Sequence, residues 1–167
     1  MALSNAQRNT LLAAIKADAT SGPMRASGDT SLLGSWCNGP STTAAWRTAV
    51  SGMEIYDAHK PVEYINRSVA ERGAFDLMVN PARSHDFTVA AKRNGVADIF
   101  SGVTNNTSRT LIFAVAQEFA TNAQLVLGGA SASVGGTANM SETVTALKRT
   151  YTSQISDIEI NWLVAQP

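Results

Sequence analysis

Between Ser108 and Leu127 the chain carries its longest helical pattern, and this stretch constrains the fold more than any other. Leu111, Val115, Phe119, Ala123 and Val126 recur along one face, and Ile112, Ala116 and Leu127 widen it. Gln117, Glu118, Thr121 and Gln124 mark the other face. Apolar residues at that spacing trace one stripe of a helix. A first half that is apolar nearly all round belongs to a helix surrounded by others. One central helix over Ser108–Leu127 is therefore expected. Ser101-Gly102 closes the preceding element with a glycine stop, Thr104-Asn105-Asn106-Thr107 offers a fresh cap, and Gly128-Gly129 ends the run.

Further helices are expected around it. Ser4 can cap a helix running to about Asp18, with Leu11, Leu12 and Ile15 on one stripe, and Thr20-Ser21-Gly22-Pro23 ends it. A short helix over Thr30–Cys37 carries Leu32, Leu33 and Trp36. Another spans Gly52–Ala58, and a longer one Asn66–Val79 stops at Asn80-Pro81, because proline disfavours helix in the residue before it. Asp86 or Ser84 can cap a helix to Phe100, with Gly95 inside it at a cost of about 1 kcal/mol against alanine. Beyond Gly129, Gly128–Thr137 reads as a flexible linker. Val144, Leu147 and Tyr151 then repeat at helical spacing within Ser141–Gln154.

Two segments do not fit a helix. Ser41–Gly52 is Thr-rich at its start and lacks a helical stripe, so it is read as extended. Asp157–Ala165 alternates Ile158, Ile160 and Trp162, as a strand does. One strand cannot stabilise itself, so this one must pair with Thr43–Val50 or with another chain. The expected fold is mainly α: a helical bundle of about five to six helices with extended segments and a C-terminal strand or tail. With 167 residues the default is one domain over 1–167, with a flexible loop over 128–139 and an extended segment over 157–167.

Charge narrows the partners. Thirteen basic residues balance thirteen acidic ones, and charged residues make up 16% against a typical ~25%. Zero net charge argues against long-range capture of nucleic acid, while leaving room for a local patch. A weakly charged surface is either covered by partners or simply rich in Ser, Thr and Asn. The single cysteine, Cys37, allows neither an internal disulfide nor a multi-cysteine metal site. The N-terminus lacks a signal-peptide pattern and no window approaches ~18 apolar residues, so a cytoplasm-like compartment and no membrane span are expected.

No constellation for bond-making stands out. His59 and His85 are the only histidines and have no metal-ligand spacing. GGASASVGG lacks the order of a serine nucleophile turn, and no phosphate-binding glycine loop occurs. Cys37 beside Trp36 reads as a small buried hydrophobe. The carboxylate pairs Glu63 with Glu71 and Glu142 with Asp157 have no apolar setting to raise a pKa. Catalytic, cofactor and metal residues are therefore none. The main basic concentration is Arg83, Lys92, Arg93 and Arg109. Its simplest reading is a solvated face; the alternative is contact with phosphate or with an acidic rim. Trp46, Arg47 and Trp162 are candidate interface anchors, since aromatics and Arg carry much of binding energy. For Trp46 the core is the favoured alternative; for Trp162 core and interface stand level. Ile158 and Ile160 join them through the expected strand.

STTAAWRTAV (Ser41–Val50) and KRNGVADIFSGVTNNTSRTLIFAVAQEFATNAQLVL (Lys92–Leu127) resemble a family of small tailed-phage and prophage proteins. In that family an STT..WRT segment precedes an R.G..DIFSG helix end, and an Ala-rich helix with AT.A leads to a glycine-rich stretch. MALSNAQRNTLLAAIKAD also resembles the family's usual start. The segment after Trp46 is shorter than the family's, and IEINWLVAQP lies outside its pattern.

The resemblance implies a non-enzymatic virion protein made in the host cytoplasm. Its expected place is the neck, as a head-to-tail adaptor. It would self-associate into a ring, a dodecamer under the portal, and contact the portal protein and the tail or nozzle proteins. Arg93 and Arg109 could face packaged DNA in passing. Strand addition by Ile158, Ile160 and Trp162 to a neighbour's sheet would join subunits. Other virion roles, a tail terminator or a capsid decoration protein, are the nearest alternatives. A small cytoplasmic hydrolase around His59 and His85 is the alternative of another class.

Overall fold

Local capping signals carry through to the structure, while longer-range ones are overruled. The structure, a computed structural model, describes residues 2–102 and 106–167. The first helix, α1 (Asn5–Ala17), starts at Ser4, whose hydroxyl accepts from the Gln7 amide while the Gln7 side chain accepts from the Ser4 amide. Helix α2 (Ser21–Ala26) occupies the stretch expected to be a stop. Pro23 lies in its first turn, where a missing N–H costs nothing. Asp29 caps α3 (Thr30–Asn38) by accepting from the Leu32 amide at 2.9 Å.

Strand β1 (Pro40–Trp46) and the two-residue β2 (Val50–Ser51) follow, then α4 (Gly52–Ala58), α5 (Pro61–Ile65) and α6 (Val69–Met78). Ser51 with Glu54 and Ser68 with Glu71 form reciprocal capping boxes for α4 and α6. Strand β3 (Ser84–His85) pairs antiparallel with β2, Val50 opposite His85. Helix α7 (Ala90–Ile99) begins later than the expected caps. Its N-cap is Val89, and Asp86 instead holds the amide and hydroxyl of Thr88 in the turn before it. The expected cap loop lies partly outside the described residues. The helix after it, α8 (Thr107–Val115), has Asn106 at its N-cap without a side-chain hydrogen bond.

The expected central helix does not run through. It breaks at Ala116 into α8, strand β4 (Gln117–Thr121) and helix α9 (Asn122–Leu127). Two causes are visible. The Ala116 carbonyl accepts from the Arg47 amide at 2.9 Å, and the Val115 carbonyl takes the Arg47 guanidinium at 2.8 Å, so β1 captures the chain there. Thr121 then starts a new helix through a capping box with Gln124.

The other corrections have the same origin. The glycine-rich stretch expected to be flexible contains strand β5 (Gly129–Gly135), and β6 (Thr143–Arg149) replaces the expected helix. Along β6, Val144 and Ala146 turn inward while Thr143 and Thr145 are exposed, a period of two. Conversely, the expected C-terminal strand is helix α10 (Asp157–Ala165), begun by Ser156 and burying Ile160 and Leu163. Strand addition through that tail is thereby overturned. The fold is α/β rather than a helical bundle of five to six helices. Its main sheet has the order β4-β1-β6-β5 and is mixed, with β1 and β6 parallel through Ala45 and Leu147.

The chain divides into two compact units. One comprises Met1–Thr43, Phe119–Ala130 and Arg149–Pro167; the other Ala44–Glu118 and Ser131–Lys148. The first unit's core holds Leu11, Ile15, Leu33, Cys37, Ala123, Tyr151, Ile155, Ile160 and Leu163. Glu159 is buried in it and accepts from Arg8 (2.7 and 2.9 Å) and from the Leu3 amide (3.2 Å). Asn38 exchanges two bonds with the Ile155 main chain. The second unit's core is aromatic, with Trp46, Phe75, Phe87, Phe100 and Phe113. Full burial of such side chains contributes about 1.5–3 kcal/mol each. Gly52 is required there: a Cβ would lie 2.3 Å from the Asn80 carbonyl oxygen. Among the described residues no helix is long and apolar enough to cross a membrane.

Candidate interaction surface

Three short successive helices in the second unit expose an unusual amount of large apolar side chain. Met53 (49%) and Tyr56 (51%) project from α4, Val62 (66%) and Ile65 (65%) from α5, and Val69 (78%) and Leu77 (59%) from α6. Isolated exposed apolar residues are ordinary, but a concentration of them marks a place where other molecules bind. The helices are held from behind. Phe75 of α6 packs on His59 (5.0 Å between centroids), Tyr64 (5.7 Å) and Phe100 (5.3 Å), and His59 also lies 4.9 Å from Tyr56. The Tyr64 hydroxyl donates to Asp76 at 2.9 Å, joining α5 to α6.

Beside Val69 and Leu77 an open groove runs between α6 and α7. It has a volume of about 410 Å³ and is lined by Ala70, Ala74, Met78, Gly95 and Ile99, with Glu71 and Asp98 as its charged members. Small residues make this groove. A Cβ on Gly95 would lie 3.8 Å from the Met78 terminal methyl.

The carboxylates here act as structural clips. Glu54 accepts from the Ser51 amide and from Arg47 at 2.7 Å, and these bonds hold its pKa down to about 2. Glu63 lies buried and caps α8 from a distance, accepting from the amides of Thr107 (3.2 Å) and Ser108 (2.8 Å). Burial pushes its pKa up, but the bonds from Ser108 and Thr107 outweigh burial and leave it below the usual range. The sequence offers no signal for this cap, because Glu63 and Ser108 are far apart along the chain.

The expected interface residues fall into distinct settings. Trp46 is fully buried, and its indole N–H donates to the Ala132 carbonyl at 2.7 Å. Arg47 is half-buried between Glu54 and the Val115 carbonyl. Arg93 is buried, donates to the Phe87 carbonyl at 2.6 Å and lies 5.3 Å from the centroid of the Trp46 ring. Arg109, 1% exposed, donates to the carbonyls of Phe100 (2.8 Å) and Asn139 (3.3 Å) and pairs with Glu142. Neither Arg93 nor Arg109 presents its guanidinium to solvent, whereas Arg83 and Lys92 are exposed. In the other unit Ile160 is core, Trp162 is half-buried with Arg8 stacked 5.5 Å away, and Ile158 is 76% exposed.

The residues weighed for chemistry serve packing and capping. His59 belongs to the aromatic cluster, while His85 is buried and bonds the Met78 carbonyl through Nε2 at 2.8 Å. Burial lowers the His85 pKa, the Met78 bond opposes it, and Lys92 and Arg83 add to the lowering. Cys37 is buried and its thiol is pushed up to about 12. Glu71 caps α6, Glu63 caps α8 and Glu142 pairs with Arg109, so each of these carboxylates has a structural partner. Among the described residues no group of three His, Cys, Asp or Glu is placed to hold a metal ion. The sequence carries no signal for this apolar surface: Val62 and Ile65 lie in no expected helix, and Val69 and Leu77 fall inside the expected Asn66–Val79 helix without marking an outward face. Comparison with models of protein families, with curated proteins and with solved structures finds nothing that matches this chain.

Proposed function

We propose that this protein is a non-enzymatic virion component, a head-to-tail adaptor that forms a ring between the portal and the tail. The observation that carries the proposal is the set of exposed apolar side chains on α4, α5 and α6. Met53, Tyr56, Val62, Ile65, Val69 and Leu77 stand on a rigid aromatic support, which suits a surface built to be covered by neighbouring chains. The resemblance of Ser41–Val50 and Lys92–Leu127 to small tailed-phage proteins supplies the setting. Head-to-tail contacts between copies close a ring when the rotation per copy closes. The low charge of the chain, 16% of residues, favours close lateral packing over repulsion.

The test is imaging of assembled particles containing the full chain, with symmetry left free. Twelve-fold ring density at the portal vertex is the expected result. A six-fold ring, or density spread over the capsid faces, overturns the adaptor reading in favour of a tail terminator or a decoration protein. Val69→Asp with Leu77→Asp should lower incorporation into particles at least ten-fold without changing the melting temperature of the isolated chain.

A further inference from the structure

The four-stranded sheet ends in β4 on one side and β5 on the other, and among the described residues no further strand pairs with either. In β5, Gly136 donates to Glu142 and Thr150 donates to Gly128, each at 3.2 Å. These bonds fix an antiparallel ladder with β6 in which the even-numbered residues face β6. Gly129, Ser131 and Ser133 therefore turn their N–H and C=O groups outward, while Gly135 leaves the extended conformation at φ 107°. In β4, Ala116 accepts from Arg47 at 2.9 Å and Asn122 donates to Gly39 at 3.0 Å. The same alternation turns Gln117 and Phe119 outward, while the Thr121 amide is held by Gln124 at 3.0 Å.

Open edges are normally blunted by charge or proline. From Phe119 to Ser141 the chain contains no Asp, Glu, Lys, Arg or Pro. The β5 edge is thus unprotected, and its side chains are small. The β4 edge is the opposite kind: Phe119 is 64% exposed and Glu118 precedes it.

We propose that β4 of one copy of this chain adds to β5 of the next, so that one sheet continues from copy to copy. The pairing deepens the ring reading above and rests on it for closure. Its direction follows from the topology. The bonds at Arg47 and Asn122 make β4 antiparallel to β1, β1 is parallel to β6, and β6 is antiparallel to β5, so β4 and β5 run the same way. Rotation about an axis along the strands preserves that direction, and the pair between copies is parallel.

Size selects this pair over the self-pairs. A β4–β4 contact would set the two Phe119 edges against each other and leave the small-residue β5 edge uncovered. Its glycine and serine positions leave room for the Phe119 ring, as an aromatic across from an edge glycine is known to stabilise the pair. A β5–β5 contact would leave Phe119 uncovered.

Two disulfide-trapping variants test this, Phe119→Cys/Ser131→Cys and Phe119→Cys/Ser133→Cys, made in the full chain. Cys37 can stay, since its buried thiol with a pKa near 12 does not compete. The purified chain is concentrated and mildly oxidised, which traps strands whose Cα atoms approach within about 7 Å. A non-reducing gel should show a ladder of trimers and larger species in at least one variant. Bands that stop at dimers point to a two-fold self-pair and overturn the proposal, as do monomers alone. Adding Ser133→Pro in the Ser131→Cys variant removes the outward N–H together with the exposed Ser133–Thr145 hydroxyl bond, and should cut the ladder at least ten-fold with the melting temperature nearly kept. Adding Ser131→Lys in the Ser133→Cys variant, which places a charge on the edge, should do the same. A ladder persisting through both changes refutes the edge pairing. Vertex rings without a ladder overturn the strand pairing alone; a ladder without vertex rings overturns the adaptor reading alone.

Discussion

Replacing Trp46 with phenylalanine probes the bond that ties β1 to β5 behind β6. The indole N–H donates to the Ala132 carbonyl at 2.7 Å, the ring meets Phe113 edge-on at 5.8 Å, and Arg93 lies 5.3 Å from its centroid. Trp46→Phe keeps an aromatic ring but loses the donor. The lost hydrogen bond is worth about 0.5–1.5 kcal/mol. The smaller ring leaves a void of roughly 40 Å³ beside Phe113, adding about 1 kcal/mol at ~24 cal/mol per Å³. Weaker stacking of Arg93 on a phenyl ring adds about 0.5 kcal/mol, in a buried site that water does not refill. The sum is about 2–3 kcal/mol. Urea unfolding followed by far-ultraviolet circular dichroism reads it as a lower midpoint with an unchanged slope. A loss under about 1 kcal/mol would refute the argument, because it would mean that the Ala132 bond and the Arg93 stack contribute nothing net.

Gly52→Ala should destabilise by more than about 2 kcal/mol, since a Cβ 2.3 Å from the Asn80 oxygen forces β2, α4 and the Asn80 turn apart; a melting curve checks it. Arg109→Met should lower stability by about 3 kcal/mol in the same urea assay, because the carbonyls of Phe100 and Asn139 lose a charged donor in a buried site. Acid should unfold the protein through its structural carboxylates. Glu54, held to about 2 chiefly by the Ser51 amide and then by Arg47, and Glu63, lowered by Ser108 and Thr107 against burial, contribute stability above their unfolded pKa near 4.5. That contribution is lost as pH falls from about 4.5 toward 2, and Glu54→Gln should flatten the pH dependence measured by thermal melts. Cys37 should react with a thiol reagent at pH 8 only at the rate of unfolding, since its thiol is buried and raised to about 12; fast labelling of the native protein would contradict the packing around Leu33 and Ile15.

The start of α1 was legible because its signal is local: Ser4 acts within three residues, as do the caps at Asp29, Ser51 and Ser68. The starts of α2, α5 and α7 carry no side-chain cap bond and were not legible. The break at Ala116 was half legible. Thr121 and Gln124 form a capping box visible in the sequence, yet the stripe from Leu111 to Val126 concealed it. The candidate surface was not legible at all. A helical stripe says which residues share a face, and Val62, Ile65, Val69 and Leu77 share theirs with solvent, because Phe75 and Tyr64 take the inward side.

From composition and local pattern alone come a chain able to bury a core, the Ser4 cap of its first helix, its extended β1 and its weak charge. Only the tertiary structure decided where β1 finds partners. A strand's main-chain groups must be paired, and β1 draws β4 out of one expected helix and β6 out of another. The C-terminal residues, with that sheet already formed, gain more by burying Ile160 and Leu163 as a helix than by alternating as a strand. Pairing and burial between distant segments are cooperative quantities, and no window of sequence contains both partners.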